Sequence, residues 1–160
     1  VAVNYAASIL ASEEAEKRGY DQTLWLDAQE NKYMEEVGSM NIFFVISGVV
    51  VTPMLAGSIL PGITRKSTIE LLKARGYTVE ERRVSVDEVV KAAEDGTLNE
   101  IFGTGTAAVV SPVGSFGYNG KDYTVGDGQM GKITKYVYDE LTGIQTGVKP
   151  DEFGWVERIV

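Results

Sequence analysis

Hydrophobic and polar residues follow two periods along this chain, and together they predict a mixture of helices and strands. Apolar residues recur at helical spacing in four segments, which are residues 4–17, 64–75, 85–96 and 132–141. Asn4 is the predicted N-cap of the first helix, and Gly19 and Gly76 follow the first two helices where a C′ glycine is expected. Ser85 and Glu88 predict a capping box at the start of the third helix.

Shorter apolar runs between these helices predict strands. The predicted strands are residues 23–27, 32–36, 41–46, 49–53, 77–84 and 109–113. Residues 41–46 are almost continuously apolar, which predicts a strand buried on both faces. Ser47-Gly48 and Asn119-Gly120 predict two hairpin turns. Helices mixed with hairpins predict one domain of the α/β or α+β class with a mixed sheet.

Composition limits the partners of this domain. The chain has 160 residues, of which 44% are hydrophobic, so it can bury a core of its own. Its 23 acidic and 15 basic residues give a formal net charge of -8, which argues against nucleic acid or an anionic membrane as a partner. No apolar run reaches transmembrane length and no basic segment begins the sequence. We therefore expect a cytoplasmic protein, with an organelle matrix as the alternative.

Cysteine and histidine are both absent. Their absence excludes disulfides, thiolate or imidazole metal sites, and catalysis by a cysteine nucleophile or a Ser-His-Asp triad within this chain. We therefore predict no metal site. If the chain takes part in catalysis, it uses carboxylates, hydroxyls, lysine or a bound cofactor.

Two turns of small residues are candidate anion sites. The sequence Ile-Leu-Pro-Gly-Ile-Thr-Arg at 59–65 enters the predicted second helix, whose first N–H groups and positive dipole end favour an anion. Gly-Thr-Gly-Thr-Ala at 103–107 offers further backbone N–H groups and threonine hydroxyls. The alternatives are an ordinary loop before a surface helix and a β-bulge or tight strand entry.

Glu36 and Tyr5 are further candidates of more ambiguous character. Glu36 ends a predicted strand two residues before Gly38, where a carboxylate can point into a cleft, although a solvated strand end is the commoner case. Tyr5 lies in the first turn of the first predicted helix, where a buried ring with a satisfied hydroxyl is the default interpretation.

Six short blocks follow one another in a characteristic order. They are Asn-Tyr-Ala-Ala-Ser at 4–8, Leu-Trp-Leu-Asp at 24–27, Glu-Val-Gly-Ser-Met-Asn at 36–41, Leu-Pro-Gly-Ile-Thr-Arg at 60–65, Phe-Gly-Thr-Gly-Thr-Ala-Ala at 102–108 and Glu-Leu-Thr-Gly-Ile-Gln-Thr-Gly at 140–147. This order closely resembles the C-terminal domain of branched-chain amino acid aminotransferases, which are class IV, fold-type IV pyridoxal-phosphate enzymes. The resemblance implies the mixed α/β pseudo-barrel of those enzymes, with residues 1–160 forming a single cofactor-binding domain.

The resemblance also implies pyridoxal 5′-phosphate as the cofactor and assigns residues to its two ends. The backbone N–H groups of Ile63 and Thr64 would bind the phosphate, with help from the hydroxyls of Thr64 and Thr106. Leu60 would pack against one face of the pyridine ring. Glu36 would pair with the pyridine nitrogen and keep it protonated, so that the ring can withdraw electrons.

The remaining assignments concern the substrate side of the ring. Tyr5 matches the residue whose hydroxyl bonds the phenolic oxygen of the cofactor. The N–H groups of Thr106 and Ala107 would hold the substrate carboxylate. Ser39 matches a small residue near the substrate.

The Schiff-base lysine has no counterpart among the lysines of this sequence. The resemblance places it immediately before Val1, and Ala2-Val3 stand where the family usually has two glycines; neither Lys17 nor Lys66 is equivalent to it. We therefore expect the catalytic lysine, and the small N-terminal domain with its phosphate-binding arginine, to lie outside these 160 residues. Ala108 and Ser111 occupy the positions of the Cys-x-x-Cys pair of some family members.

The function implied by the resemblance is the transfer of the amino group of Leu, Ile or Val to 2-oxoglutarate. The expected partners are these small substrates, the protein's own N-terminal domain and a second copy in a homodimer. Two alternatives stay open: a D-amino-acid aminotransferase or aminodeoxychorismate lyase of the same fold, and a non-catalytic fragment or binding module.

Overall fold

A computed structural model describes residues 8–157 and residue 159. In this part of the chain the elements are α1 (Ile9–Lys17), β1 (Leu24–Leu26), β2 (Met34–Val37), β3 (Met40–Ile46), β4 (Val49–Pro53), α2 (Ile63–Ala74), β5 (Val79–Arg82), α3 (Val86–Glu94), β6 (Leu98–Gly105), β7 (Val109–Pro112), β8 (Ser115–Tyr118), β9 (Lys121–Thr124) and α4 (Lys132–Gln145). The predicted mixed α/β class is confirmed. Within the same residues, no helix combines the length and apolar character needed to cross a bilayer.

Seven strands form one sheet that forks at β3. One edge of β3 pairs with β6 in antiparallel register. The other edge pairs first with β2, at Met40 and Asn41, and then with β4, from Phe44 to Ile46. Strand β1 extends the sheet beyond β2, β7 extends it beyond β6, and β5 joins β4 in parallel. The chain leaves β4 close to this fork, so the segment that follows is positioned beside Asn41.

Strand β3 is buried on both faces, as predicted. Phe43 and Val45 pack toward α2 and α4, where Phe43 stacks on Phe102 of β6 with 5.0 Å between ring centroids. Ile42 and Phe44 point the other way, into a second apolar cluster with residues of α3 and β8. The predicted hairpin at Asn119-Gly120 is also present, and it joins β8 to β9 with positive φ at both residues.

The Gly-Thr-Gly segment differs from the prediction, because Gly103, Thr104 and Gly105 are strand residues and not a turn. All three belong to β6 and pair with β3 or β7. The turn is confined to residues 106–108. A Cβ on Gly103 or Gly105 would lie 3.0 or 3.1 Å from the Met40 side chain, so these glycines allow close packing within the sheet.

One predicted capping box is only half formed, one helix ends later than predicted, and one predicted cap is not tested. The Ser85 hydroxyl caps α3 by accepting the Glu88 N–H at 3.1 Å, but the Glu88 carboxylate pairs with Arg82 instead of completing the capping box. Helix α4 continues to Gln145 because Ile144 extends its buried stripe. Helix α1 follows Ser8, and the predicted cap at Asn4 lies outside the described residues.

Candidate functional site

Three polar side chains form a row across the sheet at one end of β3. Asn41 lies directly opposite Glu36 of β2 on one side and Thr104 of β6 on the other. Directly opposed residues of antiparallel strands project from the same face of a sheet. Because side chains alternate along a strand, this face is the one on which Phe43 and Phe102 pack against α2 and α4. The row thus lies at one end of the sheet face that packs against α2 and α4.

Glu36 is a half-buried carboxylate without a cationic partner among the described residues. Its Oε1 accepts the Asn41 side-chain amide at 3.2 Å and the Leu60 N–H at 3.4 Å. Burial raises the pKa of the Glu36 carboxyl above its ordinary value, the Leu60 N–H lowers that pKa, and the neighbouring charge of Glu35 raises it further. A cation beside this carboxylate would offset the cost of its burial.

The segment that joins β4 to α2, residues 54–62, is called the site loop below. The Asn41 side-chain amide donates to the Leu60 carbonyl at 2.8 Å, and the Gly62 N–H donates to the same oxygen at 2.8 Å. A Cβ on Gly62 would lie 2.2 Å from the Asn41 Oδ1. Only glycine fits this close approach, which brings the start of α2 beside the polar row.

Helix α2 begins without a side-chain cap. Its N-cap residue is Gly62, which has no side chain to accept the first N–H groups, and its first turn contains no acidic residue. The N–H of Lys66 donates to the Gly62 carbonyl at 3.0 Å, so the N–H groups of the preceding helical residues, Ile63 and Thr64 among them, have no partner within the helix. The positive end of this helix is available to an anion.

Arg65 ties the start of α2 to the edge of the sheet. Its guanidinium is only 4% exposed, and it donates to the Pro53 carbonyl at 2.9 Å and to the Glu81 carboxylate at 3.0 Å. The first turn of α2 is therefore held near the end of β4, where the site loop begins.

The Thr104 hydroxyl lacks a hydrogen-bond partner among the described residues, unlike the Glu36 and Asn41 side chains. The residue is 1% exposed, and its Oγ1 is buried without a hydrogen bond. A buried hydroxyl in this condition is unusual, because unpaired buried polar groups cost free energy. Its position beside Asn41 is consistent with a group that completes the site from outside the chain.

The turns that carry Ser39 and Thr106-Ala107 meet at the same end of the sheet. The pairing of Asn41 with Thr104 brings the β2–β3 turn beside the β6–β7 turn, and Gly105 packs against Met40. Ser39, Thr106 and Ala107 are all exposed there.

The structure thus brings most of the predicted site residues to one region. Glu36, Leu60, Ile63 and Thr64 surround the start of α2, and the two turns lie at the adjacent end of β3 and β6. The side chains of Leu60 and Ile63 are 65% and 78% exposed, so they can contact a group outside this chain. Tyr5 lies outside the described residues.

Asn41 and Thr104 were not assigned to the site from sequence. Asn41 is the polar residue at the start of the apolar run 41–46, which is a signal that could have identified it. Thr104 lies within the Gly-Thr-Gly-Thr motif, but its alignment with Glu36 follows only from the strand register.

Two cavities border these elements on opposite faces of the sheet. One of about 440 Å³ adjoins Pro61, Gly62 and Ile63 at the start of α2. The other, of about 510 Å³, is lined by Val37 and Met40, which project away from Glu36 and Asn41. Neither cavity is lined by Glu36, Asn41 or Thr104.

Comparison of the sequence and the fold with known proteins identifies related proteins. A family model described as amino-transferase class IV matches residues 1–116. A probable branched-chain-amino-acid aminotransferase of Staphylococcus epidermidis is 59% identical over 155 residues, which are 97% of this chain and 43% of that protein. The chain therefore spans less than half the length of this curated relative.

Solved structures of a branched-chain amino acid aminotransferase from T.th. are also similar. The complex with N-(5′-phosphopyridoxyl)-L-glutamate superposes with a TM-score of 0.82 at 34% identity, covering 98% of this chain and 49% of that one. The complex with 4-methylvaleric acid gives a TM-score of 0.83 at 34% identity, covering 98% and 48% of the two chains.

Proposed function

Because this chain belongs to the amino-transferase class IV family, as its six sequence blocks predicted, we propose that it supplies most of the pyridoxal 5′-phosphate site of a branched-chain amino acid aminotransferase. The complete protein would transfer the amino group of Leu, Ile or Val to 2-oxoglutarate. The ligands of those two solved structures support this substrate pair, since one combines a phosphopyridoxyl group with glutamate and the other carries a branched aliphatic chain.

The observation that carries the proposal is the proximity of Glu36 to the uncapped start of α2. A phosphorylated pyridine carries an anion at one end and a ring nitrogen that can be protonated at the other. The described residues offer a half-buried carboxylate without an ion pair for the nitrogen and, at the start of α2, N–H groups without a partner in the helix for the phosphate. The Leu60 N–H donates to that carboxylate and so joins the two regions. The Thr104 hydroxyl lies on the other side of Asn41 from Glu36 and has no partner among the described residues, so it also fits a polar group supplied from outside.

When bound, pyridoxal 5′-phosphate supplies a ring that withdraws electrons from the substrate. Glu36 would hold the proton on the ring nitrogen, because an ionised carboxylate favours the charged form of its partner. Ile63 and Thr64 would orient the phosphate through their N–H groups, and the hydroxyls of Thr64 and Thr106 would add hydrogen bonds. The exposed Leu60 side chain would cover one ring face and exclude water from it.

The substrate would be held by the two turns at the end of the sheet. The N–H groups of Thr106 and Ala107 would bind its carboxylate, and Ser39 would border it from the neighbouring turn. Tyr5 would bond the phenolic oxygen of the cofactor. These roles orient the substrate, whereas proton transfer at its α-carbon requires the lysine that we propose immediately before Val1.

The remaining features of the complete protein follow the same proposal. Residues 1–160 would form the cofactor-binding domain, and a small N-terminal domain would contribute the rest of the substrate pocket. The protein would act in the cytoplasm as a homodimer.

A substrate comparison on the full-length protein tests this function. We expect glutamate formation from 2-oxoglutarate with L-leucine, L-isoleucine and L-valine, and none with D-alanine. Turnover of D-alanine in place of L-leucine would identify a D-amino-acid aminotransferase, and absence of turnover with all four would contradict the proposal.

Chemical labelling of the cofactor lysine tests the predicted position of that residue. Borohydride reduction of the full-length holoenzyme followed by peptide mapping should place the pyridoxyl label immediately before Val1. A label on Lys17 or Lys66 would contradict the assignment.

A further inference from the structure

We propose that Asn41 is a positioning residue that links the ring end of the cofactor site to its phosphate end. This role rests on the proposed function and deepens it. Asn41 would not act on the substrate; it would hold the Glu36 carboxylate and the site loop in one fixed arrangement.

Asn41 has the donors that this link requires. Its side chain is buried, with the residue 6% exposed. The single Nδ2 group donates to Glu36 Oε1 at 3.2 Å and to the Leu60 carbonyl at 2.8 Å. A side-chain amide has two N–H donors on one nitrogen, so both can be used at once. Asp or Leu in this place would leave both acceptors without that partner.

The second half of the Asn41 amide contacts the start of α2. Its Oδ1 lies where a Cβ on Gly62 would be only 2.2 Å away. The Gly62 N–H shares the Leu60 carbonyl with Asn41. Because Gly62 is the N-cap of α2, any displacement of the Asn41 amide is transmitted to the first N–H groups of that helix.

Among the described residues, the rest of the site loop makes few hydrogen bonds with the sheet. At its start, the Met54 N–H donates to the Arg82 carbonyl at 3.1 Å. Most of its residues are exposed, with Ile59 the buried exception. Ser58 donates to Glu35 at 2.6 Å, and the Leu60 N–H donates to Glu36 at 3.4 Å. The Asn41 contact is therefore the shortest one from the polar row to the loop, and it comes from a central strand that is buried on both faces.

The arrangement predicts that loss of Asn41 weakens both ends of the site together. Without the amide, the Glu36 carboxylate loses a donor that favours its charged form, and the start of α2 loses its contact with β3. A purely structural role would lower stability alone.

The test compares the full-length protein with its Asn41→Leu and Asn41→Ala variants. Asn41→Leu removes the donors at nearly constant volume, and Asn41→Ala removes them without added bulk, so it provides the answer if Asn41→Leu does not fold. Thr134→Val is the matched control, because it removes a buried hydroxyl that donates to Glu100 at 2.7 Å, away from the proposed site.

Three quantities are measured. Hydrogen exchange of residues 54–62 is followed in the cofactor-free protein. Affinity is measured for pyridoxamine 5′-phosphate, which has no aldehyde to react with lysine, and for inorganic phosphate. NMR of ring-¹⁵N-labelled pyridoxamine 5′-phosphate reports the pH at which the bound ring nitrogen loses its proton.

We expect both Asn41 variants to exchange faster in the site loop, to bind both ligands about tenfold more weakly, and to release the ring proton at lower pH. Thr134→Val should leave all three quantities unchanged. Asn41 variants that behave like Thr134→Val would overturn the inference. If the unaltered protein does not bind pyridoxamine 5′-phosphate, the proposed function fails, and the exchange comparison still decides whether Asn41 anchors the loop.

Discussion

The starts of α2 and α4 have similar backbone structure, but among the described residues only the start of α4 is hydrogen-bonded to a carboxylate. Each follows an extended glycine N-cap that lacks a side-chain cap, Gly62 in one case and Gly131 in the other. Each glycine also packs closely against a side chain from a central strand. A Cβ would lie 2.2 Å from the Asn41 Oδ1 at Gly62, and 2.0 Å from the Glu100 Cδ at Gly131.

The two helix starts differ in the charge of the side chain that lies against the N-cap glycine. At α4 the buried Glu100 carboxylate accepts the N–H groups of Ile133 at 3.0 Å and Thr134 at 2.8 Å, together with the Thr134 hydroxyl. At α2 the side chain against the glycine is the neutral amide of Asn41, so in the described part of the chain no carboxylate accepts the first N–H groups of this helix. Since helix N-termini favour negative charge, the start of α4 is satisfied by Glu100, whereas the start of α2 could accept an anion from outside the described residues.

Strand β6 shows the same difference between two polar side chains on one of its faces. Glu100 and Thr104 project from the same side of it, toward α4 and the proposed site respectively. Among the described residues, the Glu100 carboxylate accepts three hydrogen bonds and the Thr104 hydroxyl makes none. The two ends of this strand face therefore differ in whether their buried polar side chains are hydrogen-bonded among the described residues.

A side chain at the N-cap glycine of α2 should have the largest effect on the binding of pyridoxamine 5′-phosphate. Gly62→Ala places a Cβ against the Asn41 amide, which is buried and held by two hydrogen bonds. Overpacking costs about 1–3 kcal/mol, so we expect roughly 10- to 100-fold weaker binding of pyridoxamine 5′-phosphate. Fluorescence titration of the full-length protein measures it.

Gly57→Ala is the control for that substitution. Gly57 lies in the same site loop, and a Cβ there would meet nothing within 4 Å. Equal affinities for the two variants would show that the close approach at Gly62 is irrelevant to the cofactor.

Removing the internal anion of α4 should reduce stability and spare the proposed site. Glu100→Gln retains the shape of the side chain but loses the charge that satisfies the α4 N–H groups. We expect about 1–3 kcal/mol of lost unfolding free energy, because hydrogen bonds to charged groups are the stronger ones. Urea unfolding measures the loss. A large fall in affinity for pyridoxamine 5′-phosphate at unchanged stability would refute the division between the two helices.

Valine substitutions of the buried Thr134 and Thr104 should change the unfolding free energy by smaller amounts, and the two changes should differ. Thr134→Val breaks a buried hydrogen bond and should lower unfolding free energy by about 1 kcal/mol. Thr104→Val removes an unpaired hydroxyl, so the cofactor-free protein should be equally stable or more stable. Thermal unfolding of the two cofactor-free variants gives the answer, and a similar loss in both would mean that Thr104 has an internal partner.

The smallest predicted effect is a pH dependence from Glu36. Its pKa in the fold is raised above the ordinary 4.5, chiefly by burial, so the unfolded chain releases this proton first as pH rises. Folding stability from this group is therefore present below 4.5 and is lost as pH rises through the folded pKa.

The matched variant for that prediction is Glu36→Gln, which cannot titrate. Urea unfolding of the cofactor-free protein between about pH 4 and about pH 7 should show the unaltered protein losing stability relative to Glu36→Gln. A gain with rising pH would contradict the raised pKa.

Much of the fold could be predicted from the sequence because its signals are local. Apolar periodicity predicts the four helices, Asn119-Gly120 predicts its turn, and the apolar run of β3 predicts burial on both faces. The fork of the sheet could not be predicted, since it depends on which strands share an edge of β3. For the same reason the alignment of Glu36, Asn41 and Thr104 required the strand register.

The site could be predicted in part because family resemblance places residues along the chain. It assigned Glu36, Leu60, Ile63 and Thr64, which the structure brings together, although their roles stay predictions. It did not assign Asn41, whose role follows from contacts between a strand and a distant loop. Glu100 went unnoticed because an acidic residue in a strand gives no local sign that it caps a helix far along the chain.

The most direct test of the difference between the two helix starts is a phosphate titration of the cofactor-free, full-length protein, followed through assigned backbone amide NMR signals. An open α2 and an internally satisfied α4 predict saturable shifts at Ile63 and Thr64, with Ile133 and Thr134 unmoved. Shifts at Ile133 and Thr134 with none at Ile63 and Thr64 would contradict it.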